Sequence, residues 1–312
     1  MKIVPYSTAG SELWDALVEN SRNGLFQHRR AYMDYHADRF ADCSAVAFDD
    51  KGRAVAALPA HADGDTVCSH RGLSFGGWLL TGRVDASMML RIWNEAADYY
   101  RAQGFRRLYY RPVPHIFHRY PAEEDLYALF RAGGRLEATL ASSVIELRAP
   151  SGFDSNARRA LARAVKTGLE CVESLDYEAY WAILGEVLAK RHGATPVHSL
   201  DEIRMLAGRF PANIRLFLVC EQGTPVAGTV LYISGHTAHC QYIASDERGC
   251  TTGALALLFD NIRRRCAADG LAYLDLGTSN ENGGRFLNEG LIRQKAGFGA
   301  RAVAFSSYTI DF

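Results

Sequence analysis

Asp275 stands in the middle of an apolar run, Ala272-Tyr273-Leu274-Asp275-Leu276-Gly277, whose alternation is that of a β-strand. Tyr273, Asp275 and Gly277 then share one face, and Leu274 and Leu276 the other. A carboxylate in such a place is costly unless it is paired or put to use. Asp275 is therefore a candidate general base, with a structural salt bridge as the competing role. Just beyond it, Glu281, Asn282, Asn288 and Glu289 form a polar turn and a helix start, where an N-cap and a solvated first turn are the plain roles. Arg293 and Lys295 follow, cations that either hold an anionic group or are simply solvated.

Other constellations carry less chemistry. His115-x-x-His118 follows Pro114 in a loop, and His236-x-x-His239-Cys240 crosses a turn. Neither has a second pair at zinc-site spacing, so no metal is expected. A G-x-S-x-G nucleophile elbow is absent from the sequence, which argues against a serine hydrolase. Cys240 and Cys250 are read as small buried hydrophobes. The basic clusters Arg158-Arg159-Arg163-Lys166 and Arg263-Arg264-Arg265 could touch RNA phosphates, but on helices of a neutral protein they are read as solvated faces.

The elements that position these residues occur twice. Gly104-Phe105 closes an apolar helix and opens a strand, and Gly270-Leu271 does the same 166 residues later. From Gly104–Arg135 against Gly270–Arg301 the register needs no gap, and six of 32 pairs are identical. Random pairing gives roughly two, so the order of elements carries the argument instead. Ala45–Phe48 and Val55–Leu58 flank the turn Asp49-Asp50-Lys51-Gly52, as Leu216–Val219 and Val226–Leu231 flank Glu221-Gln222-Gly223. Both read as β-hairpins with a Gly-containing turn. A helix follows each, over 88–103 with Met89, Ile92, Trp93, Ala96, Ala97 and Tyr100 on one face, and over 253–269 with Leu255, Leu258, Phe259 and Ile262 on one face. A strand and a helical segment ending in Gly complete each copy.

A chain of 312 residues suits two domains, and the turn-rich Ala149-Pro150-Ser151-Gly152 sets the expected boundaries at 1–150 and 151–312. The composition is 48% apolar and 22% charged, with 35 basic against 35 acidic residues. Zero net charge gives no global attraction to nucleic acid or an anionic membrane. The first residues lack a signal-peptide core, and no run of about 18 apolar residues occurs, so a cytoplasmic protein without a membrane span is expected. Seven cysteines with no C-x-x-C pair read as reduced thiols.

The order strand, turn, strand, strand, helix, strand resembles the GNAT acyltransferase fold. The stretch Tyr273–Glu281 followed by Leu287–Gly299 resembles the end of the FemAB-like branch of that superfamily. Asn156–Gly168 is similar to the basic helix that opens the second domain there, and Arg111–Pro114 with Tyr120–Leu126 to a loop-helix of the first. The resemblance implies an α/β (α+β) fold of two GNAT-like domains, each a mixed, mostly antiparallel sheet flanked by helices. It also implies transfer of an acyl group to an amine. An amine such as lysine, with a pKa of about 10.4, must lose a proton before it attacks, and the carbonyl oxygen needs a hydrogen-bond donor as it gains charge.

In the GNAT fold that donor comes from the strand before the main helix, here Ala238–Ala244, where Tyr242 joins Asp275 and Glu281 as a candidate catalytic residue. The resemblance places Asn282, Asn288, Glu289, Arg293 and Lys295 at the acceptor end of the cleft. A coenzyme A pyrophosphate would rest at the start of the main helix, on Arg248, Thr251, Thr252 and Gly253, although Thr251 stands where the GNAT consensus has its first Gly. Acetyl-CoA or another acyl-CoA is the favoured donor, since no long heptad insertion occurs. The alternatives are an aminoacyl-tRNA-dependent FemAB-type transferase acting on a cell-wall precursor, and a catalytically silent binding module. Ile116, Ala122, Tyr127 and Leu129 stand opposite Asn282, Asn288, Arg293 and Lys295. The first half is thus expected to be a structural partner walling the cleft, and the second the working domain.

Overall fold

The computed structural model describes residues 1–312, apart from the side chains of 191 and 192. The chain forms two compact units, residues 1–140 with 304–312, and residues 141–303. The expected dividing stretch, 149–152, lies in a loop, while the units divide inside two long strands.

Unit 1 contains strands β1 (Lys2–Pro5), β2 (Ala41–Asp42), β3 (Ala45–Phe48), β4 (Ala54–Leu58), β5 (His61–Asp63), β6 (Thr66–Cys68), β7 (Leu79–Leu80) and β8 (Arg107–Tyr110). Its helices are α1 (Ser11–Asn20), α2 (Arg30–Met33), α3 (Ala86–Ala102) and α4 (Glu124–Arg131). Two sheets run in the orders β1-β3-β4-β7 and β8-β6-β5-β2, antiparallel except for the parallel pair β6 and β8. Asp85 caps α3 by accepting from Met88 N at 2.7 Å, and Met89, Ile92, Trp93, Ala96 and Tyr100 bury one face of it.

The chain passes into unit 2 within β9 (Arg135–Glu146). Helix α5 (Ser155–Lys166), β10 (Glu170–Ser174), α6 (Tyr177–His192) and α7 (Leu200–Arg209) precede the strands β11 (Ile214–Glu221), β12 (Thr224–Ser234) and β13 (Thr237–Ser245). Then come α8 (Glu247–Thr252), α9 (Ala254–Ala268), β14 (Tyr273–Thr278), the small hairpin β15 (Asn280–Glu281) and β16 (Phe286–Leu287), α10 (Glu289–Gly297) and β17 (Arg301–Asp311). The sheet of unit 2 runs β10-β11-β12-β13-β14-β9, antiparallel except for β13 and β14. Helices α5 and α9 cover one face, over a core that includes Leu231, Cys240, Leu258, Leu274, Leu276 and Phe298. Helix α6 packs on the other face of β12 and β13.

The 166-residue repeat is present in the backbone. Ala102 and Ala268 end the two long helices, Arg107 and Tyr273 open the next strands, Arg131 and Gly297 end the short helices, and Arg135 and Arg301 open the last strands. Each pair is 166 residues apart. The left-handed turns repeat too, with φ of 90° and 80° at Gly104 and Gly270 and of 80° and 89° at Gly133 and Gly299, a conformation that glycine adopts without strain. Both predicted helices and both hairpins form within three residues of the expected limits. The last strands go to opposite units: the end of β9 pairs with β14 in unit 2, and the end of β17 with β8 in unit 1.

The seven cysteines are unbridged. Burial pushes the Cys240 thiol upward, whereas Cys250, expected to be buried, is exposed because it lies on the outer side of α8. Unit 1 packs His36, His61 and His70 together, with ring centroids 5.1 and 5.2 Å apart. Burial lowers all three, His70 to about 2, and lowers His28 to about 4 and His118 as well. The unfolded chain binds protons at these residues from about pH 6.5 downward while the folded one does not, so stability must fall as pH drops below that value. Asp125, raised to about 7 by burial, acts oppositely but as a single group. Calorimetry should therefore show a melting temperature that declines from pH 6.5 to 4.5. A constant or rising value across that range would contradict the account.

Candidate active site

Strands β13 and β14 pair at only three positions, Thr237 with Tyr273, Ala238 with Leu274 and His239 with Asp275. Beyond His239 and Asp275 both strands continue without pairing to each other, β13 to Ser245 and β14 to Thr278. Two irregularities shape this parting. A bulge leaves Gln241 as the extra residue between Cys240, opposite Leu231, and Tyr242, opposite Val230. It turns Tyr242 to the His239 face rather than the Cys240 face. In β14, Gly277 has φ of 75°, and the register against β9 shifts between Asp275 and Thr278.

Asp275 lies at the head of the parting, with no exposed surface. Its Oδ1 accepts from Ser142 Oγ at 2.5 Å and from Gly277 N at 2.9 Å, and its Oδ2 lies 2.7 Å from His239 Nδ1. The carboxylate is thus both paired and fully hydrogen-bonded, the condition for tolerating it there. His239 keeps 16% of its side chain exposed. With Nδ1 held by Asp275, a proton taken up by the ring enters at Nε2.

Lys295 of α10 is buried beside this pair and donates from Nζ to Gly277 O at 2.9 Å and Thr278 O at 2.8 Å. Burial pulls its pKa down to about 8, against the opposing charge of Asp275. Tyr242, on the face covered by α6, has its hydroxyl 2.6 Å from His198 Nδ1 and accepts from His198 N at 3.2 Å. Trp181 meets Tyr242 edge-on at 5.3 Å and donates from Nε1 to His198 O at 3.1 Å.

The remaining predicted site residues are spread more widely. Glu281 is exposed on the β15–β16 hairpin, its carboxylate 3.4 Å from Asn288 Nδ2. Asn288 caps α10, accepting from Leu291 N at 3.0 Å, and Asn282 is exposed with φ of 50°. Arg293 is 82% exposed and stands 4.0 Å from Glu289. Two residues apart on one helix, Arg293 and Lys295 point to opposite sides, so they do not converge on one anion. Arg293 lines a cleft of about 330 Å³ between α5 and α10, with Asn156, Gln294 and Phe298.

The residues expected to cradle a pyrophosphate contact other groups of the chain. Residues 247–252 are helical, and the Asp246 carboxylate already accepts from Gly249 N at 2.7 Å at their start. Arg248 forms a two-pronged ion pair with Glu221. The hydroxyls of Thr251 and Thr252 donate back to Arg248 O at 2.9 and 2.8 Å. A Cβ on Gly253 would fall 2.4 Å from Ala160 O of α5, so only glycine fits where α5 meets the start of α9. Sequence reasoning did not single out Ser142 or His198, and it weighed His239 only as a metal ligand. Among the described residues no group of three or more His, Cys, Asp or Glu could hold a metal ion.

Residues 151–283 match the acetyltransferase (GNAT) domain family. No curated protein matches the chain. Among solved structures, the chain is similar to FemX over 100% of its length and 98% of the other, at 12% identity and a TM-score of 0.70. It is similar to L-PGS from Bacillus licheniformis over 96% and 91% of the two chains, at 13% identity and a TM-score of 0.62. A tandem GNAT protein of the clavulanic acid biosynthesis pathway matches over 99% and 98%, at 14% identity and a TM-score of 0.52. The match over residues 151–283 and the likeness of the whole fold to FemX agree with the resemblance read from the sequence. Among the described residues no helix is long and apolar enough to cross a membrane.

Removing the buried charge should be felt by the whole of unit 2. Asp275→Asn should cost roughly 3–5 kcal/mol, the range for breaking a buried pair, while Glu281→Gln should stay within about 0.5 kcal/mol. Urea unfolding of both variants measures this, and equal effects would contradict the assigned geometry.

Proposed function

We propose that unit 2 transfers an acyl group from a thioester or ester donor to an amine, with His239 as general base, Asp275 as its orienting partner and Lys295 as the cation beside the reacting carbonyl. The observation that carries this reading is the 2.7 Å contact of His239 Nδ1 with buried Asp275 at the point where β13 and β14 part. The parting leaves backbone groups of β13 without strand partners on the β14 side, a place for an acyl chain to lie extended.

In the reaction the neutral amine attacks the carbonyl carbon and a C–N bond forms. The proton released from nitrogen goes to His239 Nε2. The oxygen gains charge as the tetrahedral intermediate forms, and the Lys295 ammonium, two of whose three N–H groups are used on Gly277 O and Thr278 O, has a third to give it. The C–S or C–O bond of the donor then breaks, and the imidazolium returns its proton to the leaving sulfur or oxygen.

The expected acyl-coenzyme A donor is supported by the GNAT domain match. The contacts of Gly249 N with Asp246 and of Arg248 with Glu221 favour a second reading, in which the acyl group arrives as an aminoacyl ester, the FemAB-type donor. A cell-envelope precursor as acceptor is supported by likeness to FemX and to the C-terminal domain of a proposed lysylphosphatidylglycerol synthetase from Agrobacterium fabrum.

Thiol release from acetyl-coenzyme A in the presence of a panel of primary amines tests the reading. His239→Ala should lower kcat/KM by about 10²–10⁴, the contribution of a positioned base, and undiminished turnover would refute its role. Because Lys295 loses its proton near pH 8, the rate should show an alkaline limb near that pH that moves upward in Lys295→Arg. An unchanged limb in the variant would remove Lys295 from the mechanism.

A further inference from the structure

The two basic clusters of unit 2 meet opposite fates in the fold. Arg263 and Arg264 pair with Asp260 at 2.8 and 2.6 Å, and Arg265 pairs with Glu173 at 3.1 Å. Helix α5 carries Arg158, Arg159, Arg163 and Lys166 and no acid. All four are exposed, and among the described residues none has an acidic partner within salt-bridge distance, while Arg159 donates to Asn156 Oδ1 at 2.5 Å. Arg159 and Arg163 are four residues apart, and Arg163 and Lys166 three, spacings at which like charges repel on a helix. The helix therefore holds a concentrated positive stripe, at some cost to itself, on a chain whose net charge is zero.

The same helix packs against the start of α9, where Ala160 O lies against Gly253. Its Asn156, Ala157 and Ala160 share a cleft with the outer side of α10, whose inner side carries Lys295. The stripe lies on the solvent side of α5, away from that cleft, so a donor that docks there needs a flexible arm to carry its acyl group past the helix to the reacting centre.

We propose that α5 is the docking surface for a small acidic carrier protein that bears the acyl group as a thioester on a phosphopantetheine arm. This inference rests on the acyl-transfer reading above. Helix-to-helix docking is favoured over RNA by the stripe itself. Val165, 62% exposed, and Ala162 lie among the cations, an apolar seam suited to a packed acidic helix. No aromatic side chain lies on α5 to stack a base, and the second basic cluster is tied to Asp260 and Glu173. In the transfer, the C–S bond to the arm breaks as the C–N bond to the amine forms, and the arm leaves as a free thiol carrying the proton from the attacking nitrogen.

The test uses the full chain with an acetyl-loaded acyl carrier protein and, separately, acetyl-coenzyme A, for wild type and for Arg159→Glu/Arg163→Glu. Carrier binding is read by fluorescence anisotropy and transfer by amide formation. The double variant should weaken carrier binding and raise its KM by at least about tenfold, as should raising salt from about 50 to about 300 mM, with kcat and the acetyl-coenzyme A rate unchanged. Carrier binding that ignores both the reversals and the salt overturns the proposal, as does absence of carrier binding. So does an RNA that binds with the same sensitivity to the reversals while the carrier does not. Reversal-sensitive carrier binding without transfer from either donor sustains the docking surface and overturns the acyl-transfer reading instead.

Discussion

A carboxylate with no exposed surface can persist only if every donor around it is in place, and Asp275 takes its donors from separate parts of unit 2. Ser142 comes from β9, His239 from β13 and Gly277 N from the turn after Asp275 itself. Shifting β14 by one residue against either neighbour would exchange Asp275 for Leu274 or Leu276, both in the core beneath α9. The charge thus specifies the register of three strands at once. Their parting begins immediately beyond it, where the Lys295 ammonium holds the carbonyls of Gly277 and Thr278. One interaction joins the strands and leaves an imidazole, a cation and backbone without strand partners together at the opening of the sheet.

The repeat shows how such a centre can arise on one copy of a scaffold. At the offset of 166 residues, Tyr109 stands in unit 1 where Asp275 stands in unit 2, and Leu129 where Lys295 stands. Leu129 is simply part of the unit 1 core. Unit 1 has a buried acid of its own, Asp125, but it accepts from the Tyr110 hydroxyl at 2.5 Å and has only Leu291 opposite it in the repeat. The backbone is kept and the buried polar contacts are not.

Much of this was legible in the chain because it is local. Helix limits, hairpin turns and the left-handed glycines follow from period and residue type, and Asp275 in an apolar strand announced itself as a charge needing a partner. The partner did not, because His239 and Asp275 meet through a parallel pairing across 36 residues that no local pattern encodes. Ser142 was hidden for the same reason, 133 residues before the carboxylate it serves. Thr251 and Thr252 fell into a helix because Asp246 caps it, a local signal that was open to reading. The opposed directions of Arg293 and Lys295 also follow from helical spacing alone.

The central claim is that Asp275 holds His239 Nδ1–H, leaving Nε2 to take the proton. Long-range ¹H–¹⁵N correlation of histidine-labelled protein at neutral pH measures it directly. The account requires Nδ1 of His239 to carry a ring proton in preference to Nε2, and that preference to be lost in Asp275→Asn. A proton found on Nε2, or a tautomer indifferent to the loss of Asp275, would contradict it.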